Sequence, residues 1–247
     1  TQNFTTATDT YNTAVGYDAG AAVTTGISNV LVGGLAGDAL TDADQNVAVG
    51  TSALGADTLG SSSVAIGNNA LTAQNFTTAT TTYNTAVGFN AGVAVTTGTL
   101  NTLIGGIAGD SLTTGTRNVA VGVSALQNDQ TGSKSVAIGT RALTTQRPAT
   151  ATDMYNVAVG EDAGLEITTG TLNTLMGGVA GDALTSGNSN VAVGYGSLTT
   201  DTLGDRNVAI GNSALEQQNF TTTTDAYNVA VGYTAGQSLT TGLVNTL

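Results

Sequence analysis

The fold this chain predicts is all-β, a parallel β-solenoid, and three observations predict it. First, one hexapeptide returns every 72 residues: YNTAVG at 11–16 and 83–88, then YNVAVG at 155–160 and 227–232. Second, each 72-residue block opens a shorter motif four times on Asn or Ser, at spacings of 17, 17, 17 and 21. The landmarks are Asn12, Asn29, Asn46, Ser63, Asn84, Asn101, Asn118, Ser135, Asn156, Asn173, Asn190, Asn207, Asn228 and Asn245, with no slip in register. Third, glycine appears 34 times against one proline, as short strands separated by sharp turns require. Self-similarity at a fixed period in such units means coils stacked on one another.

Each element follows from its position after the landmark. Positions one to three form a short strand: the first is Val or Thr and the third Val, Ile or Met, mostly β-branched residues that suit a pleated surface. Position four is Gly in all thirteen coils that reach it, which marks a sharp turn with positive φ or a close backbone approach. Position seven is Ala in twelve of these, with Ser197 the exception, and position eight is Gly or Leu. This "xxAL" or "xxAG" stretch is expected to begin a second short strand. Thr, Gly, Asp and Asn then close the coil. At about 4.7 Å per coil, thirteen steps give a rod about 60 Å long. The expected organisation is one continuous solenoid over 1–247, in super-repeats 1–71, 72–143 and 144–215 and a partial fourth, 216–247.

Composition excludes several classes. Only 9% of residues are charged, five basic against 17 acidic, for a net charge of −12. The basic residues (Arg117, Lys134, Arg141, Arg147, Arg206) are too few and scattered for a nucleic-acid surface, and an anionic membrane would repel the chain. No apolar run is long enough for a membrane-spanning helix, so direct membrane insertion is not expected. There is no Cys or His and a single Lys, so no nucleophile or general base presents itself, and an enzyme is not expected. No cofactor motif is present either, since glycine pairs such as Gly33-Gly34 precede no helix. The opening residues, TQNFTTATDT, form no signal peptide. Because the chain begins and ends within a repeat, it is expected to be a fragment.

Position two is never polar: Ala14, Leu31, Ala48, Ala65, Ala86, Leu103, Ala120, Ala137, Ala158 and Leu175 form the series. With positions one and three turned into the coil, this series would be a long exposed apolar stripe, which soluble proteins keep for interfaces. The expected partner is therefore another copy of the chain, packed side by side.

The motif N-V-A-V/I-G-x-x-A-L, clearest in SVAIGNNAL (63–71), SVAIGTRAL (135–143) and NVAIGNSAL (207–215), resembles the head repeats of YadA-type trimeric autotransporter adhesins. Similar repeats occur in bacteriophage tail fibres. The resemblance runs the whole chain, although these coils are longer than is usual in that family. It implies a left-handed parallel β-roll, a homotrimer or higher fibre, and an extracellular place on a cell surface or virion.

Three further features are candidate sites. The 21-residue coils carry extra segments: QNFTTATDTY (2–11), QNFTTATTTY (74–83), QRPATATDMY (146–155) and QNFTTTTDAY (218–227). Phe4, Phe76 and Phe220, with Tyr11, Tyr83, Tyr155 and Tyr227, either present a host-surface glycan or protein with a binding face or pin the loops to the body; pinning is the reading preferred here. GGLAGDAL (33–40), repeated at 105–112 and 177–184, is similar to a calcium-binding nonapeptide, but Ala36 replaces a glycine and the motif skips three coils in four. No metal is expected there, only a turn built by Gly and Asp. The Thr pairs at 24–25, 96–97, 168–169 and 240–241 fall on one coil in four, too sparse for an ice-binding array. The reading that results is a structural and adhesive fibre segment, a cell-surface adhesin, with a phage tail-fibre shaft or a glycan-binding protein as alternatives.

Overall fold

In the computed structural model, which describes residues 8–247, the chain is all-β: a parallel solenoid of about 13 turns with roughly 17 residues per turn. It divides into two compact units, Thr1–Arg117 and Asn118–Leu247, with one architecture. The first unit carries β1 (Thr13–Val15), β2 (Val30–Val32), β3 (Val47–Val49), β4 (Gly60–Ser61), β5 (Val64–Ile66), β6 (Thr80–Thr81), β7 (Thr85–Val87) and β8 (Thr102–Ile104). The second carries β9 (Val119–Val121), β10 (Gly132–Ser133), β11 (Val136–Ile138), β12 (Thr152–Asp153), β13 (Val157–Val159), β14 (Thr174–Met176), β15 (Val191–Val193), β16 (Gly204–Asp205), β17 (Val208–Ile210), β18 (Thr224–Asp225) and β19 (Val229–Val231).

Within each unit the three-residue strands pair in parallel with the strand of the next coil, and their registers reproduce the sequence spacings. Val30 faces Val47 and Val47 faces Val64, 17 residues apart, whereas Val64 faces Thr85, 21 apart. The two-residue strands make a second ladder only at the long coils: β4 with β6, β10 with β12, β16 with β18.

The expected direction of the strand side chains is corrected. Position two points into the coil: Leu31 is 1% exposed, and Ala48, Ala65, Ala86, Leu103, Ala120, Ala137, Ala158 and Leu175 are fully buried. Position two is exposed at the two end coils, at Ala14 and at Leu247. Positions one and three point outward. The landmark Asn decides this parity. Asn46 is buried; its amide nitrogen donates across its own coil to the Gly60 carbonyl (2.9 Å), and its side-chain oxygen accepts from the Ser63 backbone N–H (2.8 Å). The same pair of bonds recurs from Asn84 to Gly98 and Asn101, and from Asn190 to Gly204 and Asn207. A strand whose residue zero points inward must also turn residue two inward, because side chains alternate.

The narrow interior explains why position two is small. Where it is Leu, the eighth residue of its own and the preceding coil is Gly. A Cβ on Gly164 or Gly181 would lie 2.8 Å from a Leu175 methyl, so the glycines make the room that leucine fills. In the other coils position eight is Leu and position two Ala, as in Leu54 with Ala48. The stretch around positions five to eight is not the expected second strand but a turn with positive φ at alternate residues, including Leu54 (φ 54) and Leu126 (φ 53). Hydrogen bonds to the next coil hold these leucines there, Leu54 N–H to the Ala70 carbonyl (3.0 Å) and Leu126 N–H to Ala142 (3.0 Å).

Candidate functional site

With position two inside, the outer face of each strand stack carries positions one and three. In the first unit these are columns of Val, Ile and Thr; in the second, Val, Ile, Thr and Met, with no charge in either column. They are half-buried to exposed, reaching 58% at Val15 and 59% at Val231. Aromatic side chains border the columns. Tyr83, Tyr155 and Tyr227, just before the landmark, and Tyr11 are exposed. Tyr17, Phe89, Tyr195 and Tyr233, at position five, are exposed as well. The sequence reading missed this second set; aligning the coils at position five would have shown it. The Tyr195 ring lies over Gly178 of the preceding coil, where a Cβ would sit 3.3 Å from it.

The extra segments separate their two aromatic types. Phe76 (7% exposed), Phe220 and, in the third loop, Pro148 are buried against the coil, as pinning requires, while the tyrosines stay outside. Phe4 lies outside the described residues. Two tyrosines are held by cations: Lys134 Nζ bonds the Asp153 carboxylate (2.6 Å) and the Tyr155 hydroxyl (2.8 Å), and Arg206 pairs with Asp225 beside the Tyr227 ring. The hydrogen bonds to Asp153 and Tyr155 raise the Lys134 pKa.

Beneath each long coil lies a buried carboxylate without a cation. Asp57 accepts from Gln74 (2.6 Å), Gly60 N–H (3.0 Å) and Phe76 N–H (3.2 Å). Asp201 accepts from Gln218 (2.7 Å), Gly204 N–H (3.0 Å) and Phe220 N–H (3.2 Å). Asp129 does the same with Gln146 (2.5 Å) and Gly132 N–H (2.7 Å). Each glutamine in turn accepts from the next landmark, as Gln218 does from Asn228 (2.8 Å). Burial pushes the Asp129 and Asp201 carboxyls above the ordinary carboxylate range, although their hydrogen bonds pull the other way.

The remaining motifs are built into coil contacts. In the GGxAGD turns, Asp182 accepts from the Thr199 hydroxyl of the next coil and Asp110 from Ser111 (3.3 Å). Among the described residues no group of three or more His, Cys, Asp or Glu could hold a metal ion. The first threonine of the pairs at 24–25 and 168–169 recurs in the two following coils, and that of the pair at 96–97 in the next one: Thr24 donates to the Thr41 carbonyl (3.2 Å), and Thr41 to that of Thr58 (3.1 Å). The array is denser than the pairs suggested, but its hydroxyl protons are spent on the solenoid. No helix among the described residues is long and apolar enough to cross a membrane. Comparison with protein-family models and with curated proteins finds no match.

Proposed function

We propose that this chain is a structural and adhesive segment of an extracellular fibre, without catalytic activity, in which copies associate side by side as a homotrimer or higher assembly. The observation that carries the reading is the pair of uncharged outward columns at positions one and three. They form an apolar strip that repeats coil after coil within each unit, and a strip of this kind is stable in water when a partner covers it. A second copy offers the same strip at the same 17- and 21-residue spacings, so contacts made in one coil repeat in the next. The net charge of −12 keeps such an assembly apart from other acidic surfaces. The resemblance to adhesin head repeats supports the reading of a cell-surface fibre; a virion fibre uses the same physics.

The test is the mass in solution, by analytical ultracentrifugation, of the unmodified chain and of Val191→Lys/Val193→Lys. Oligomers that the double substitution dissociates support the proposal, and a monomeric unmodified chain overturns it. Lysine at Ala48 or Ala120 is no test of association, because it would bury a charge in the coil interior.

Glycan binding by the bordering tyrosines is a second reading, favoured by their exposure next to protruding loops. Changing Tyr83, Tyr155 and Tyr227 to Ala should then abolish attachment to a glycan array while circular dichroism stays unchanged. Attachment that survives the three changes removes this reading.

A further inference from the structure

The 21-residue coils hold four residues more than their neighbours, and the hydrogen bonds show where these go. Through Asn75 and Phe76 the chain keeps step with the coil before: the Thr58 hydroxyl donates to the Asn75 side-chain oxygen (3.2 Å) and to the Phe76 carbonyl (2.9 Å). From Thr80 the offset has become 21, with Thr80 N–H on the Leu59 carbonyl (3.3 Å) and Thr82 N–H on that of Ser61 (2.9 Å). The added residues therefore bulge between Phe76 and Thr80. Phe76 is buried, whereas Asn75, Thr77, Thr78 and Ala79 are exposed. The coil of Asn219 is built alike: the Thr202 hydroxyl meets the Asn219 side-chain oxygen (3.2 Å), Phe220 is buried, and Thr221, Thr222 and Thr223 are exposed.

The triplets at these bulges are Asn75-Phe76-Thr77 and Asn219-Phe220-Thr221, each an Asn-x-Thr acceptor sequence. We propose that Asn75 and Asn219 are modification sites that carry N-linked sugars.

Three features single out this position. The chain has 21 asparagines, and an Asn-x-Ser/Thr triplet occurs at only three of them, Asn3, Asn75 and Asn219, all at the same place in the repeat; Asn3 lies outside the described residues. The landmark asparagines, which are mostly buried and bonded into the coil corners, never have Ser or Thr two residues on. At the bulges the opposite holds. The contact from threonine uses the oxygen of the asparagine amide, its nitrogen makes no hydrogen bond, and around the buried Phe the threonine is exposed while the asparagine is exposed at Asn75 and half-buried at Asn219. The third loop is an internal control, since Arg147-Pro148-Ala149 stands at the same place and lacks both asparagine and threonine.

The chain supplies only the acceptor; a separate glycosyltransferase and an activated donor, a sugar linked through its anomeric oxygen to a nucleotide or lipid phosphate, supply the rest. The amide nitrogen attacks the anomeric carbon and a C–N bond forms. The C–O bond to phosphate breaks, the phosphate leaves with the electron pair, and the amide gives up one proton. No oxidation state changes. The bulge is a different stretch of the coil from the strand.

The experiment is glycopeptide mass spectrometry on the full chain, purified from the cells that make it and cleaved beside its aromatic residues. Sugar mass is expected on Asn75 and Asn219 and none on the loop at 146–155. Asn75→Gln/Asn219→Gln should lose it, and so should Thr77→Ala/Thr221→Ala, which keeps both asparagines and their contacts. Unmodified Asn75 and Asn219, sugar confined to threonine hydroxyls, or sugar that persists in the Thr→Ala variant would each overturn the assignment.

Discussion

At the residue scale, the tightest constraint is the glycine at position four. Gly177 has φ 140, and a Cβ there would lie 2.5 Å from the carbonyl oxygen of Gly194 in the next coil. Both the left-handed backbone and the stacking distance exclude a side chain. Gly177→Ala should therefore cost about 3 kcal/mol, more than strain alone, and lower the thermal midpoint accordingly; an unchanged midpoint would show that the coils can separate locally at no cost. The buried aspartates set a second constraint, on pH. The folded chain holds the Asp201 proton more tightly than the unfolded chain, because burial raises its pKa above the ordinary carboxylate value. Charged Asp201 is thus a burden at neutral pH, relieved as pH falls through the raised value toward the ordinary one. Urea midpoints should rise on acidification from neutral into that window. Asp201→Asn should flatten the rise, and an identical pH profile for the variant would sink the argument.

At the element scale, what joins coil to coil is the strand ladder together with the landmark asparagine. Asn190 serves two coils at once, donating to Gly204 (2.8 Å) and accepting from Asn207 N–H (2.9 Å), and it is fully buried. Asn190→Ala leaves a carbonyl and an N–H without partners inside the solenoid. The expected loss is about 3 kcal/mol, measured by chemical denaturation; Asn190→Asp, which sets a buried carboxylate against the Gly204 carbonyl oxygen, should cost at least as much at neutral pH. This corner also explains what the sequence showed and what it hid. Strand positions and the spacings of 17 and 21 were legible because every coil repeats them. The facing of the strand was not, since positions one, two and three are all apolar or Thr and either parity satisfies the pattern. Reading the landmark Asn as an inward hydrogen-bonding residue, rather than as a turn residue, would have settled the parity. Leucine in a left-handed conformation at position eight could not be foreseen, because only contacts with the neighbouring coil make it tolerable. Nor does the length of a coil say where along it four extra residues will bulge.

At the scale of the whole molecule, the candidate surfaces were only partly legible. The exposed tyrosines and the buried phenylalanines read alike in the sequence, and only the packing of Phe76 and Phe220 separates them. The self-association reading keeps its logic while its residues change, from the alanines and leucines of position two to the Val, Ile, Thr and Met of positions one and three.

The fit of Leu175 over Gly164 and Gly181 also has an evolutionary side. Neighbouring coils are not interchangeable parts, because a large residue in one is matched to small residues in that coil and the one before. Removing residues 174–190 would set Gly164 against Ala192 and leave the leucine's space empty. Removing residues 157–228 would join Asn156 to Val229 and keep the matching of large and small residues between coils. The shorter deletion should thus destabilise the chain while the longer one leaves the melting temperature nearly unchanged, as calorimetry on the two would show. If so, descendants of this gene gain and lose length in steps of four coils, and the unit of inheritance is the 72-residue set.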